Sequence, residues 1–424
     1  MATPAAEFGK VAQTDGELYF IKRQDKEGTW RGENACRCKD GTPNDIEELQ
    51  VIMRMSNNHR AFFALVQGGL WEREVRLEKY GEVDYYALYR LSQLQSVVGL
   101  VAAGVEHLVG AKIPQQLALQ FVGDSLQFEQ RCKSMNEFIG LLFSKFNSAR
   151  INALLVKGQG IAQCYERPLW RAAGDVDLLL DKENYDRAKS FLLPQASKIE
   201  EEDTDRLHLG LTIDSWLVEL HGTLHGGLGK KVDRELDEIQ DKAFKNGNHR
   251  KWQNGNTIVL LPSSNDDIVF VFAHILQHFY GGGIGLRQVC DWCRLVFTYQ
   301  ADLDVKLLEE RLRRMGIITE WKAFASLAVN LLGMPAASMP LFSEGKKWRN
   351  KADNITRLIL ASGNFGQGFD KSYKKKYPKA LEYLISFWLY TKYGYLQFLV
   401  FPLPAIKGWI KTVFAGAKSK FKKK

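Results

Sequence analysis

The stretch Leu155-Val156-Lys157-Gly158-Gln159-Gly160, followed by Arg171-Ala172-Ala173-Gly174-Asp175-Val176-Asp177-Leu178-Leu179-Leu180, decides how the chain is read. Two carboxylates, Asp175 and Asp177, stand at the mouth of an apolar strand shortly after a glycine-rich turn. Side chains alternate across a strand, so Asp175 and Asp177 point to one face and Val176 to the other. Co-facial carboxylates repel unless a cation lies between them. A hard divalent ion with oxygen ligands, Mg²⁺ above all, fills that role and would hold nucleotide phosphates. Asp-x-Asp alone is weak evidence, because two surface acids capping a strand make the same pattern. Here Gly174 precedes the pair and Leu178, Leu179 and Leu180 follow it, which predicts a strand buried on both faces with its acids at the solvent end.

Upstream, Ile151 to Val156 is a short apolar run that predicts a buried strand. Gly158 and Gly160 open a helix expected from Ile161 to about Glu166. Free amides at a helix start favour phosphate, and glycine lets it approach the backbone closely. Arg171 either neutralises phosphate charge or pairs with a nearby acid.

Leu155-Val156-Lys157-Gly158, Ala162, Tyr165, Pro168, Arg171 and Gly174-Asp175-Val176-Asp177-Leu178, in that order, resemble the DNA polymerase beta-like nucleotidyltransferase superfamily, in the branch called uncharacterised nucleotidyltransferase. The likeness is specific at this motif and looser elsewhere, from about Phe62 to the end of the chain. It implies an α+β fold, a small mixed-sheet nucleotidyltransferase core flanked by N-terminal and C-terminal helical regions. It also implies two Mg²⁺ ions and a nucleoside triphosphate substrate. Lys157, Gly158, Gly160, Arg171 and Gly174 are the candidate nucleotide-binding residues. The wider superfamily carries Gly-Ser after its first strand where this chain has Lys157-Gly158, so Lys157 or backbone amides would replace the serine contact.

Two-metal transfer needs a third acid on a neighbouring strand. Leu211 to His225 is strand-like and ends with an acid; Trp216, Val218 and Leu220 would share one face, with Leu217, Glu219 and His221 on the other. Glu219 is the expected third metal ligand and catalytic carboxylate, favoured by the resemblance at Glu-Leu-His; Asp214 is the alternative, of opposite parity. His274 and His278, at i and i+4 of one helix, either bind zinc or pack beside the active site, where the resemblance places a His-bearing helix.

The chain of 424 residues is 45% apolar and carries a net charge of +9. From Lys407 onward there are seven lysines and no acids, so seven of the nine charges lie in the tail. The nearly neutral body lacks the basic stripe that long nucleic acids require. Cys36, Cys38, Cys132, Cys164, Cys290 and Cys293 form no coherent framework, and reduced thiols in a cytoplasmic protein are the simplest expectation.

Residues 1–50 read as a poorly ordered extension, or as sequence ahead of a start at Met53 or Met55. A helical region follows over 51–147, with periodic runs at Ala61 to Val66, Tyr85 to Leu108 and Leu117 to Phe146. The catalytic core is expected over 148–261, and a helical partner domain over 262–404, opened by Ser264 or Asn265 as cap. Arg287 and Asp291 are spaced as a helix-surface ion pair, with a place in the nucleotide or acceptor pocket as the functional alternative. Tyr383 to Phe401 predicts a buried helix ending near Pro402 and Pro404, too interrupted to span a membrane. The basic amphipathic tail, 405–424, is expected to be frayed and solvated, with weak anionic-membrane contact as the alternative.

Two functions compete. One is a Mg²⁺-dependent enzyme moving a nucleoside monophosphate from a nucleoside triphosphate to a small molecule, sugar phosphate or protein, with release of pyrophosphate. The other is a non-catalytic nucleotide-binding or antitoxin-like module on the same fold.

Overall fold

The computed structural model describes residues 11–14, 17–20, 55–281, 283–364, 379–402, 404 and 406. Met1–Arg54 and Met55–Lys424 are two compact units. In the first, β1 (Val11–Thr14) and β2 (Glu17–Phe20) form an antiparallel pair with Val11 opposite Phe20. Both strands fall within the stretch expected as a poorly ordered entry; the rest of 1–50 lies outside the described residues.

The second unit is α+β and includes a two-residue parallel pair, β3 (Val75–Arg76) with β4 (Leu108–Val109). Its centre is a five-stranded mixed sheet of β5 (Leu154–Val156), β6 (Val176–Leu179), β7 (Lys198–Ile199), β8 (His208–Ile213) and β9 (Trp216–His221), in the order β5-β6-β9-β8-β7. Strands β6 and β9 are parallel and the other neighbours antiparallel. The run from Leu211 to His225, expected as one strand, breaks into a hairpin at Asp214 and Ser215, whose φ angles are 45° and 73°. Two successive positive φ values give the turn whose twist matches the flanking strands. Asp214 is therefore at the turn, at the far end of β9 from His221.

Four helices precede the sheet: α1 (Asn57–Trp71), α2 (Tyr85–Leu94), α3 (Val98–Glu106) and α4 (Gln115–Ser148). The helical run expected from Tyr85 to Leu108 is interrupted at Gln95–Val97, where Ser96 has φ 56°. The Gln95 side chain is buried there and accepts from the Leu286 amide at 2.9 Å. Helices α1 and α3 cross at backbone contact. A Cβ on Gly104 would lie 2.0 Å from the Leu65 carbonyl oxygen, so only glycine fits.

One sheet face (Val176, Leu178, Val218, Leu220, Leu209, Leu211) packs on Met135, Ile139, Phe143 and Phe146 of α4 and on Tyr185 and Ala188 of α6 (Lys182–Leu192). The opposite face (Leu154, Val156, Leu179) joins the larger core built by the helices. The sheet core thus crosses the boundary expected at 147, and the larger core crosses those at 147 and 261. The motif helix α5 (Gly158–Ala162) is shorter and starts earlier than the expected Ile161–Glu166, and turns follow it.

Helix α7 (Lys230–Asn246) and a hairpin of β10 (His249–Asn254) and β11 (Thr257–Pro262) lead to α8 (Ser264–Gly281). The cap of α8 is Ser263, not Ser264 or Asn265: its hydroxyl accepts from the Asp266 amide at 3.3 Å and donates to the Asp266 carboxylate at 2.5 Å. Then come α9 (Leu286–Thr298), α10 (Val305–Met315), α11 (Ile318–Asn330), α12 (Lys346–Ser362) and α13 (Lys379–Val400). Helix α13 is only partly buried: Tyr393 and Val400 face the core while Tyr395, Phe398 and Leu399 are exposed, which corrects the expectation of a buried helix. Among the described residues no helix is long and apolar enough to cross a membrane. Apart from Ile406, the basic tail lies outside them.

Candidate active site

The register of β6 against β9 builds the site. Val176 stands opposite Val218 and Asp177 opposite Glu219, so apolar side chains share one face and acids the other. Asp175, two residues before Asp177, joins the same face. One carboxylate oxygen from each of Asp175, Asp177 and Glu219 lies within 4.8 Å of the others. The structure thus brings together the three acids chosen from sequence, whereas Asp214 does not join them. An all-oxygen set of three carboxylates suits a hard divalent ion.

Lys157 ends β5 beside these acids. Its Nζ lies 2.6 Å from Oδ1 of Asp177. Its backbone has φ 57° and ψ −146°, a conformation that costs a non-glycine residue about 1–3 kcal/mol and persists where neighbours impose it. Gly158 follows with φ 42°; a Cβ there would lie 3.4 Å from the Asp175 carbonyl oxygen. Gly174 is exposed with open space around it. Gly160 is buried, and a Cβ there would come 2.9 Å from Leu261, so it serves helix packing.

Arg171 takes the acid-pairing alternative. Its Nε and Nη2 donate to the two Asp291 carboxylate oxygens at 2.8 Å each, and Nη1 donates to the Ala172 carbonyl at 3.2 Å. Burial opposes the Arg171 charge, but Asp291 more than offsets it and holds the guanidinium above its ordinary range. Tyr165 donates to the same carboxylate at 2.8 Å. Arg171 therefore anchors the loop that carries Gly174 and Asp175, with its fork filled by Asp291. The expected Arg287–Asp291 surface pair is also corrected. Asp291 is buried, and Nη1 of Arg287 donates to the Ala172 carbonyl at 2.8 Å. Burial first, then Arg171, lowers the Arg287 pKa.

The titration behaviour of the acids is divided. Asp177, 2% exposed, suffers burial but is held below the usual carboxylate range by Lys157 and His221. Glu219 is also driven down: burial opposes its charge, and His208 and His221 outweigh it. Asp175 is pushed up, first by the neighbouring Asp177 charge and then by burial. Burial works against the charge of His221, yet Asp177 and Glu219 raise its pKa.

A cavity of about 330 Å³ opens on this face, lined by Lys157, Asp175, Glu219 and five of the eight histidines, His208, His221, His225, His274 and His278. Its far wall is α8, which contributes Phe270, His274, Gln277 and His278. Nε2 of His278 and Nε2 of His274 lie 3.0 Å apart. Burial drives both below the ordinary histidine value, His278 to about 4. Asp203, Arg206 and His208 also line the cavity, and reading the sequence missed them. His208 stands opposite His221 through the Ile213–Trp216 hairpin register, which depends on where the chain turns back.

The model of the family described as uncharacterised nucleotidyltransferase matches residues 81–333, a span that contains the motif loop, the sheet, the three acids and α8. The chain belongs to that family. Comparison with curated proteins and with solved structures returned no match. Membership makes the α+β core with flanking helices that of a nucleotidyltransferase family and agrees with the acids lying on one face of its sheet.

Proposed function

We propose that the chain is a Mg²⁺-dependent nucleotidyltransferase that moves a nucleoside monophosphate from a nucleoside triphosphate to an acceptor, a small molecule, sugar phosphate or protein. The observation that carries this reading is the pairing of Asp177 with Glu219 across parallel strands, with Asp175 on the same face. Asp175, Asp177 and Glu219 would hold the ions. When bound, these neutralise the triphosphate and lower the pKa of the acceptor hydroxyl.

In the step itself an acceptor oxygen bonds to the α-phosphorus, the bond to the bridging oxygen breaks, and pyrophosphate leaves with that electron pair. The acceptor proton leaves to a carboxylate lining the cavity, Asp175 or Glu219, of which Asp175, raised by the neighbouring Asp177 charge, is the stronger base. Lys157 compensates Asp177 and offers a cation to a phosphate oxygen that enters beside Asp175. Gly158 and Gly174 leave the backbone there free of side chains. Arg171 acts indirectly, by holding the loop.

The ion pair of Lys157 with Asp177 supports the second reading, a module that binds nucleotide without turnover, because an internally neutralised site tolerates the loss of metal. Pyrophosphate release from each nucleoside triphosphate with Mg²⁺ separates the two. Turnover is expected, and Asp175→Asn, Asp177→Asn and Glu219→Gln are each expected to lower it by at least about a hundredfold, the scale on which a lost electrostatic stabiliser acts. Undiminished release in Asp175→Asn and Asp177→Asn would overturn the assignment.

A further inference from the structure

We propose that His208, Glu219 and His221 form a second metal site, selective for a zinc-class transition ion, that shares Glu219 with the three acids. The inference uses one residue of the proposed active site but does not need nucleotidyl transfer to occur.

Donor chemistry comes first. One ring nitrogen each of His208 and His221 and a Glu219 oxygen lie within 4.8 Å of one another. Two imidazoles and a carboxylate suit zinc and its first-row neighbours, whereas Mg²⁺ prefers oxygen and keeps its waters. The spacing agrees. Oε2 of Glu219 lies 3.3 Å from Nε2 of His208 and 3.4 Å from Nε2 of His221. Charge-assisted hydrogen bonds run shorter, at about 2.7–2.9 Å. Ligand atoms about 2.0–2.1 Å from a tetrahedral zinc stand roughly 3.3–3.4 Å apart.

Topology makes the cluster rigid. His208 and His221 are directly opposite in the β8–β9 ladder, and Glu219 is two residues from His221 on the same face. Their rings lie 4.8 Å apart between centroids. All three residues line the cavity, so a tetrahedral ion would keep its fourth position toward it. His221 also lies 2.9 Å from Asp177, but Lys157 sits on that same Asp177 oxygen at 2.6 Å. Asp177 therefore keeps a counterion when the His221 lone pair turns to a metal. The other cavity histidines are placed differently: His225 faces Asp237 at 2.6 Å, and His274 faces His278.

The test is Co²⁺ titration of the chelator-treated full chain in excess Mg²⁺, read by the visible bands of four-coordinate cobalt. Saturable binding is expected to resist Mg²⁺, to weaken by more than about tenfold in His208→Ala and in His221→Ala, and to persist in Asp175→Asn. His208→Cys is expected to keep binding and add a thiolate-to-cobalt charge-transfer band, a signature that only a direct ligand produces. Thermal unfolding of each variant checks that it is folded. Cobalt binding unchanged in both alanine variants, displaced by Mg²⁺, or lost in Asp175→Asn but not in His208→Ala would overturn the second site. Those outcomes leave pyrophosphate release untouched. Cobalt binding as expected without turnover would leave the second site standing and remove the enzymatic function.

Discussion

Arg171 shows how one side chain can satisfy two sequence readings while its surroundings select one. Both its carboxylate-facing nitrogens are spent on Asp291, and Tyr165 shares the same acid. Removing one member of such a buried pair strands the other, at about 3–5 kcal/mol. Asp291→Ala is therefore expected to destabilise the folded chain by about that much, measured by urea unfolding. Arg171→Lys keeps the charge but loses the bidentate fork, so it should lower the unfolding midpoint as well. A raised KM for nucleotide with an unchanged midpoint would instead show that Arg171 serves the substrate. The contrast with Lys157 is one of position: its Nζ lies among the acids and lines the cavity.

At the level of elements, the β8–β9 hairpin controls the chemistry, because its register places His208, Glu219 and His221 together. A slip of one residue between the two strands would turn His208 to the opposite face from Glu219 and His221. The turn is not optimal for its geometry. Asp214 and Ser215 both adopt positive φ, and a non-glycine residue pays roughly 1–2 kcal/mol in that region. Ser215→Gly is thus expected to stabilise the chain by up to about 1 kcal/mol after the added unfolded-state entropy of glycine, seen as a higher midpoint with an unchanged urea slope. A lower midpoint would mean that the serine side chain holds the turn in place. Asp175 and Asp177 were readable from sequence because a period of two assigns faces without knowledge of neighbours, and the family resemblance at Glu-Leu-His singled out Glu219. His208 was not, since its partner depends on where the run from Leu211 to His225 turns back.

For the molecule as a whole, α8 packed across the sheet face sets the acid limb of stability. His274 and His278 are kept neutral in the fold chiefly by burial, with Lys157 adding repulsion, while in the unfolded chain they titrate near 6.5. Between pH 6.5 and about 4 the unfolded state binds more protons, so stability falls as pH falls. His278 alone contributes about 3 kcal/mol at most across that window. The loss of unfolding midpoint on acidification should therefore be smaller in His278→Gln than in the parent chain, and equal slopes would show that His278 titrates normally in the fold. His221 has the opposite sign: raised by Asp177 and Glu219, it lends stability below its ordinary value that is lost as pH rises through its folded value.

The sequence alone determined what depends on periodicity and local chemistry. It placed Asp175 and Asp177 on one strand face, put Glu219 on the same face of its own strand as His221, and set glycines at the first turn. Those features follow from chain geometry within a few residues. Only the tertiary structure decided the partners of buried charges: Asp291 for Arg171, Lys157 for Asp177, and a histidine-lined wall from α8 facing the acids. Each of the last two joins separate elements, and the Arg171 pair spans 120 residues. A buried ion takes whichever countercharge the packed core brings within reach, and local spacing carries no record of that choice.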